Sequence, residues 1–308
     1  MAQLVKLADY VSRYEIDIHR YPSRFVRLKR ERWDRLYQDW EAVRRGDGEL
    51  AQHYRKPGEG WKEKARSLFS RRKTQEEVEL PDDWQLRNKS LPELKKQFQD
   101  ELFSFQLSWA SSTVSEISAV DEHYQKDPLL RLFVSALPDT CFLFYEPTLY
   151  ARKAPVDCDV ILLTPNEIWI IHTLSGSEDT IYSRIDQRHW EKREGESRKN
   201  MLSPLLSLKR TASVVTTILE EKDITYPVKT AVMTLDAFLD VPRSGRQVRY
   251  VDRRERESFM GYFEKMQAPI KSGQLKAAEA LLDHAATISR RRPGQEDGSD
   301  VENPSEVE

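Results

Sequence analysis

Two apolar runs at 160–163 and 168–171, with Pro165-Asn166 between them, constrain the fold of this chain more than any other feature. Short apolar runs closed by turn residues read as the strands of a hairpin, and Ser175-Gly176 closes the second run. Further strands are expected at 141–145, running on toward Tyr150, within 181–190, at 228–235 and at 248–251. Helices intervene. Asp127-Pro128 opens a short one through Ala136, and Pro138 ends it. Ser203-Pro204 opens another whose face is Leu205, Leu208, Ala212, Val215 and Leu219, alternately three and four residues apart. Residues 253–266 and 275–288 read as two more. The expected fold class is α/β, a mixed sheet flanked by helices, occupying 118–288.

Upstream the pattern is helical, and 1–54 reads as a helical N-terminal region. Leu4, Leu7, Val11, Tyr14 and Ile18 recur at alternating three and four spacing, an amphipathic stripe. Pro22 interrupts it, because proline lacks the amide and clashes with the preceding turn. A second helix places Phe25, Leu28, Leu36, Trp40 and Val43 toward one side, and Gly46-Asp47-Gly48 break it. The segment 55–89 is a linker, first basic and then acidic. Its basic part carries Lys62, Lys64, Arg66, Arg71, Arg72 and Lys73 around Trp61, Leu68 and Phe69. Such a run is either a solvated linker or a surface for anionic lipid or nucleic acid. Ser90-Leu91-Pro92-Glu93 is a capping box with proline in the first turn. It opens a long helix in 90–117 whose stripe is Leu94, Phe98, Leu102, Phe105 and Trp109, weakened or ended by Ser111, Ser112 and Thr113. The tail 289–308 follows three arginines, is acidic and Pro/Gly-punctuated, and is expected to be disordered and removable.

A length of 308 residues suffices for one or two domains with a proper core. A net charge of −2 argues against wholesale electrostatic binding of nucleic acid, yet leaves room for a local basic patch. Two cysteines, Cys141 and Cys158, do not make a disulfide framework, which points to a reducing, cytoplasmic setting. No targeting segment and no apolar stretch of about 20 residues is seen, so no membrane span is expected.

The segment 157–176, Asp-Cys-Asp-Val-Ile-Leu-Leu-Thr-Pro-Asn-Glu-Ile-Trp-Ile-Ile-His-Thr-Leu-Ser-Gly, resembles the nuclease-related domain (NERD) family. These are small members of the restriction-endonuclease-like, PD-(D/E)XK superfamily. The resemblance covers roughly 118–265 and continues through Trp190 and Ser203-Pro204. In that family an aspartate precedes an apolar strand and turn, and the next strand ends in glutamate, any residue and lysine. A later helix carries a glutamine. On this frame Asp159 is retained, whereas His172, Leu174 and Ser207 stand where the family has glutamate, lysine and glutamine. Glu122 is a loose match to a helical glutamate.

Metal-assisted phosphodiester hydrolysis needs a cluster of hard oxygen ligands. Imidazole prefers softer metals, and leucine neither polarises water nor pairs with phosphate. The resemblance therefore implies a degenerate member, with Asp159 the one candidate metal ligand and no cofactor expected. Three functions follow. The first is a non-catalytic interaction protein whose helical N-terminal region, with Trp33, Tyr37 and Trp40 as anchors, binds a protein partner or a second copy. The second is a nucleic-acid-binding protein that keeps a substrate groove, with Lys209 and Arg210 as phosphate contacts. The third is a magnesium-dependent nuclease with a relocated site, drawing on Glu167, Glu178, Asp179 or Lys209. Each singled-out residue also has a structural reading: Asp159 as a paired carboxylate, His172 as a strand-end histidine, Leu174 as core, Trp190 as packing, Lys209 and Arg210 as a solvated helix face.

Overall fold

The computed structural model describes residues 1–45, 89–242, 247–266 and 268–292. In chain order it runs β1 (Gln3–Leu7), a 3-10 turn (Arg13–Glu15), α1 (Tyr21–Arg45), α2 (Leu91–Trp109), β2 (Glu116–Ile117), α3 (Glu122–Lys126) and α4 (Pro128–Ala136). Next come β3 (Phe142–Tyr145), β4 (Thr148–Ala151), β5 (Ala154–Asp157), β6 (Val160–Leu163), β7 (Ile168–Leu174), β8 (Thr180–Arg184), β9 (His189–Glu194) and β10 (Ser197–Leu202). The chain continues through α5 (Pro204–Glu221), β11 (Val228–Thr234), β12 (Phe238–Asp240), β13 (Val248–Val251), α6 (Arg256–Glu264), α7 (Ser272–Asp283) and β14 (Arg290–Arg291).

A six-stranded mixed sheet in the order β1-β3-β6-β7-β11-β13 organises these elements. Only β6 runs against the others: β1 is parallel to β3, and β7, β11 and β13 are mutually parallel, while β6 is antiparallel to both neighbours. Strand side chains alternate between faces. Phe142, Phe144, Ile161 and Ile170 therefore join one core with Leu208 and Val215 of α5 and Leu281 of α7. Leu143, Leu162, Trp169 and Ile171 join a second core with Leu130 and Phe133 of α4 and Phe259 and Phe263 of α6. Helix α2 begins at the expected cap, with the Ser90 amide and hydroxyl donating to Glu93 Oε2 at 2.8 and 2.7 Å and proline in the first turn.

The strands at 160–163 and 228–234, the hairpin turn and the helix from Pro204 lie where sequence patterning puts them. Other elements differ. Residues 3–7 are not helical; all five are buried in an edge strand paired with β3. The three-four spacing there comes from a strand followed by a 3-10 turn, and local periodicity carries no information about a partner strand far along the chain. Pro22 sits in the first turn of α1 rather than ending a helix, since a first-turn residue needs no amide donor. The expected run 141–150 divides into β3 and β4 at Glu146-Pro147, and 181–190 divides into β8 and β9. The last helices span 256–264 and 272–283, shorter than expected. Arg290 and Arg291 pair antiparallel with β2, so ordered structure passes residue 289 through backbone bonds that need no apolar side chains. The segment 46–88, with its basic run, and residues 293–308 lie outside the described residues. Among the described residues no helix is long and apolar enough to cross a membrane.

Candidate functional site: a carboxylate held by three side chains

A cavity of about 410 Å3 opens where β1, β3 and β7 point their carboxyl ends and β6 begins. In sheets with parallel strands this edge is where connecting loops leave room for ligands. The cavity is lined by Ala8 and Asp9 after β1, by Glu146 after β3, by Asp157 and Asp159 before β6, by Ile171, His172 and Thr173 of β7, and by Tyr124 of α3.

Asp159 and His172 meet because the β6–β7 register requires it. Val160 pairs with Ile171, so the next antiparallel step sets Asp159 opposite His172. Their side chains bond directly, His172 Nδ1 to Asp159 Oδ1 at 2.8 Å. Helix α5 supplies two more partners from one face, since residues four apart are neighbours on a helix. Ser207 Oγ donates to Asp159 Oδ1 at 2.9 Å, and Thr211 Oγ1 donates to Asp159 Oδ2 at 3.0 Å. The Asp159 amide donates in turn to Thr211 Oγ1 at 3.0 Å. Both carboxylate oxygens of a buried aspartate are thus engaged by three side chains. Arg210 extends the network, donating to Ser207 Oγ at 3.3 Å and to the Asp157 carbonyl at 3.1 Å.

Leu174 lies two residues beyond His172, is buried, and packs into the core shared with α5. Glu122 is exposed on α3 and pairs with Lys126 at 3.5 Å; its neighbour Tyr124 reaches the cavity instead. Lys209 is exposed on α5. Glu167 lies at the far end of the β6–β7 hairpin, bonded by Trp169 Nε1 at 2.6 Å, the Tyr262 hydroxyl at 2.8 Å and Lys229 at 2.5 Å. Glu178 pairs with Arg253 at 3.3 Å. Neither Glu167, Glu178, Asp179 nor Lys209 lines the Asp159 cavity. Trp190 is fully buried in the core. In the helical pair, Trp40 is buried and donates through Nε1 to the Lys89 carbonyl at 2.8 Å. Trp33 and Tyr37 line an open groove of about 460 Å3 with Leu91 and Phe98.

Sequence reasoning missed Glu146. It adopts φ 48°, a left-handed conformation that costs a non-glycine residue of order 1–3 kcal/mol and clusters at functional sites. Burial of its carboxyl raises its pKa, nearby Asp127 and Asp159 add to this, and His123 and His172 oppose it. The residue is exposed at the cavity rim, so water tempers the burial effect. Its one sequence signal is an acid and a proline directly after the apolar run 142–145, a position where proline disfavours helix and nothing requires a charge.

A hard metal ion is the natural occupant of an acidic edge such as this. The donors do not fit one. Asp159 is engaged by three side chains, the position opposite offers imidazole, and among the described residues no three His, Cys, Asp or Glu side chains converge as a metal-holding group. Among the described residues the lining also has no lysine or arginine, while Asp9, Glu146, Asp157 and Asp159 contribute carboxylates. Without a cation, such a wall repels phosphate.

Comparison with known proteins adds a family to this geometry. Residues 127–234 match the model of the nuclease-related domain. An RNA 2',3'-cyclic phosphodiesterase of Geobacillus stearothermophilus is 38% identical over 117 residues, which is 34% of this chain and 36% of that protein. The matched segment thus spans about a third of that relative's length. No solved structure matches at a significant level.

Proposed function

We propose that this chain, whose residues 127–234 match the model of the nuclease-related domain, is a degenerate nuclease-related protein that works as a binding module rather than as a metal-dependent nuclease. The observation that carries the reading is the Asp159 carboxylate, held by His172, Ser207 and Thr211 where metal chemistry would need free oxygens. Stabilising the charge that develops on a cleaved phosphodiester takes a metal or fixed cations. The family's lysine position is the buried Leu174, and among the described residues no lysine or arginine lines the cavity. Partner binding falls to the N-terminal helices, where Trp33 and Tyr37 present half-buried rings beside Phe98. The test is a cleavage assay on RNA and DNA with Mg2+ or Mn2+. No cleavage above background is expected; metal-dependent cleavage that disappears in Asp159→Ala would overturn the proposal.

A second reading rests on the His172–Asp159 bond and on the name of the Geobacillus relative. A ring nitrogen facing a carboxylate carries the proton, which leaves the lone pair on Nε2. In this reading His172 takes a proton from water as the oxygen attacks a cyclic phosphate. The phosphorus–oxygen bond of the ring then breaks, and Glu146, whose carboxyl pKa burial shifts upward, is the acid that gives a proton to the departing ribose oxygen. The acidic wall works against an anionic substrate, and this places the reading second. Hydrolysis of a 2',3'-cyclic nucleotide in excess EDTA, abolished in His172→Gln, would put it first; no turnover in EDTA removes it.

A further inference from the structure

A second cleft, of about 660 Å3, has the opposite charge. It lies between α2, α4 and the small β2–β14 ribbon, and among the described residues its charged lining side chains are Arg131, Arg290 and Arg292, with no acidic one. The ribbon dictates part of this arrangement. Arg290 pairs with Ile117 and Arg291 with Glu116, so strand alternation sends Arg290 and Arg292 to the same side. The Arg292 amide bonds the Ser115 carbonyl at 2.8 Å and anchors the end of the ribbon. Its side-chain Nε is buried and has no hydrogen-bond partner. A buried guanidinium donor without a partner carries a desolvation cost that a bound acceptor removes. Arg290 is exposed, and no carboxylate among the described residues pairs with it or with Arg292. Arg131 stacks over Phe103 at 4.4 Å and is bonded to Asp100, so its position is fixed by packing.

The α2 residues in the lining carry hydroxyl groups. Ser104, Ser111 and Ser112 each give their hydroxyl proton to a backbone carbonyl four residues earlier, at 3.1, 2.8 and 2.7 Å. Their oxygens keep lone pairs that these bonds do not use. These serines ride on the C-terminal half of α2 and just past its end, where the helix dipole also favours donors over acceptors. Phe103 and Leu107 supply an apolar floor. The cleft therefore offers arginine donors and serine acceptors, in a volume ordinary for small-ligand sites.

We infer that this cleft binds a phosphate-bearing ligand of nucleotide size, with the phosphate on Arg290 and Arg292 and hydroxyl or amino donors on the α2 serines. This site is independent of the reading of the Asp159 cavity. Two sources share the chemistry, a free mononucleotide and the phosphorylated end of an oligonucleotide. Isothermal titration of the full chain with AMP and with a 5'-phosphorylated hexanucleotide separates them, and whichever probe binds more tightly names the source. Arg290→Gln and Arg292→Gln should each weaken binding by roughly tenfold or more, as expected for a lost charge-assisted bond. Arg193→Gln, an exposed arginine on β9, should leave it unchanged. Arg290 is exposed, so its variant keeps the test valid even where Arg292→Gln fails to fold. Absence of binding by both probes, or equal affinity of wild type and both variants, overturns the proposal.

Discussion

Replacing Lys6 by methionine should lower the stability of the folded chain by about 3 kcal/mol. Lys6 is fully buried in β1, and burial holds its ammonium below the usual lysine range against the opposing pull of Glu15. All three of its donors are used. Nζ donates to the Tyr10 carbonyl at 2.7 Å, to Thr287 Oγ1 at 2.8 Å and to Glu15. One side chain thereby fastens the first strand to the 3-10 turn and to the segment after α7. Methionine preserves the stem and removes every bond. Removal of one partner of a buried pair typically costs 3–5 kcal/mol. The lower end applies because Glu15 remains 22% exposed and keeps the Thr287 hydroxyl at 3.2 Å. Urea unfolding measures this as a lower midpoint at unchanged slope. A loss under about 1 kcal/mol would mean that the pair behaves as a surface salt bridge.

Alkaline pH should unfold the protein early. Burial pushes the Cys141 thiol up to about 12 and the Cys158 thiol to about 11, from an ordinary 9.0. It raises the Tyr226 phenol to about 12 and drives Tyr14 and Tyr145 upward as well. The sign follows from linkage. Each of these groups has a folded pKa above its unfolded one, so over the intervening pH range the folded state holds more protons. The stabilisation is fully present below the unfolded value and is lost as pH rises toward the folded value. Lys6 acts the other way, because its lowered pKa makes folding more favourable as pH climbs, but the raised thiols and phenols outnumber it. The melting temperature should hold up to about pH 8.5 and fall increasingly as the tyrosines join the thiols near pH 10. Cys141→Ala and Cys158→Ala should flatten the first part of that fall. A melting temperature constant to about pH 11 would contradict the assignment of these groups as buried and neutral.

The parts of the fold legible from sequence are those whose signals are local. The 160–171 hairpin announces itself by two apolar runs and a Pro-Asn turn, and the Pro204 helix by proline and three-four spacing. Ser90 and Glu93 cap α2 within four residues of one another. What was not legible depends on distant partners. Strand β1 is a strand because β3 lies beside it, and its five consecutive buried residues mimic a helical stripe only when Val11, Tyr14 and Ile18 are counted with it. The ribbon at Arg290 and Arg291 forms from backbone bonds to β2, which leave no mark on an arginine-rich sequence. At the site, the family frame placed positions 159 and 172 on adjacent strands, and the register sets them opposite one another. The engagement of Asp159 by Ser207 and Thr211 required knowing how α5 crosses the sheet. Glu146 escaped notice because its backbone conformation, not its residue type, marks it.

Whether Asp159 holds a metal decides what the cavity can do, and Mn2+ titration followed by electron paramagnetic resonance reads this directly. Three proteins suffice: wild type, Asp159→Ala and His172→Glu. The single substitution at 172 is preferable to a double change, because Leu174 is buried in the core and a lysine there would disturb folding. Wild type and Asp159→Ala should give the same free-Mn2+ signal at every concentration, showing that Asp159 takes no metal while His172, Ser207 and Thr211 hold it. His172→Glu should bind Mn2+, since it removes one of those donors and sets a second carboxylate opposite the first. Stoichiometric Mn2+ binding by wild type that is lost in Asp159→Ala would contradict the account and return the domain to the metal-dependent nucleases.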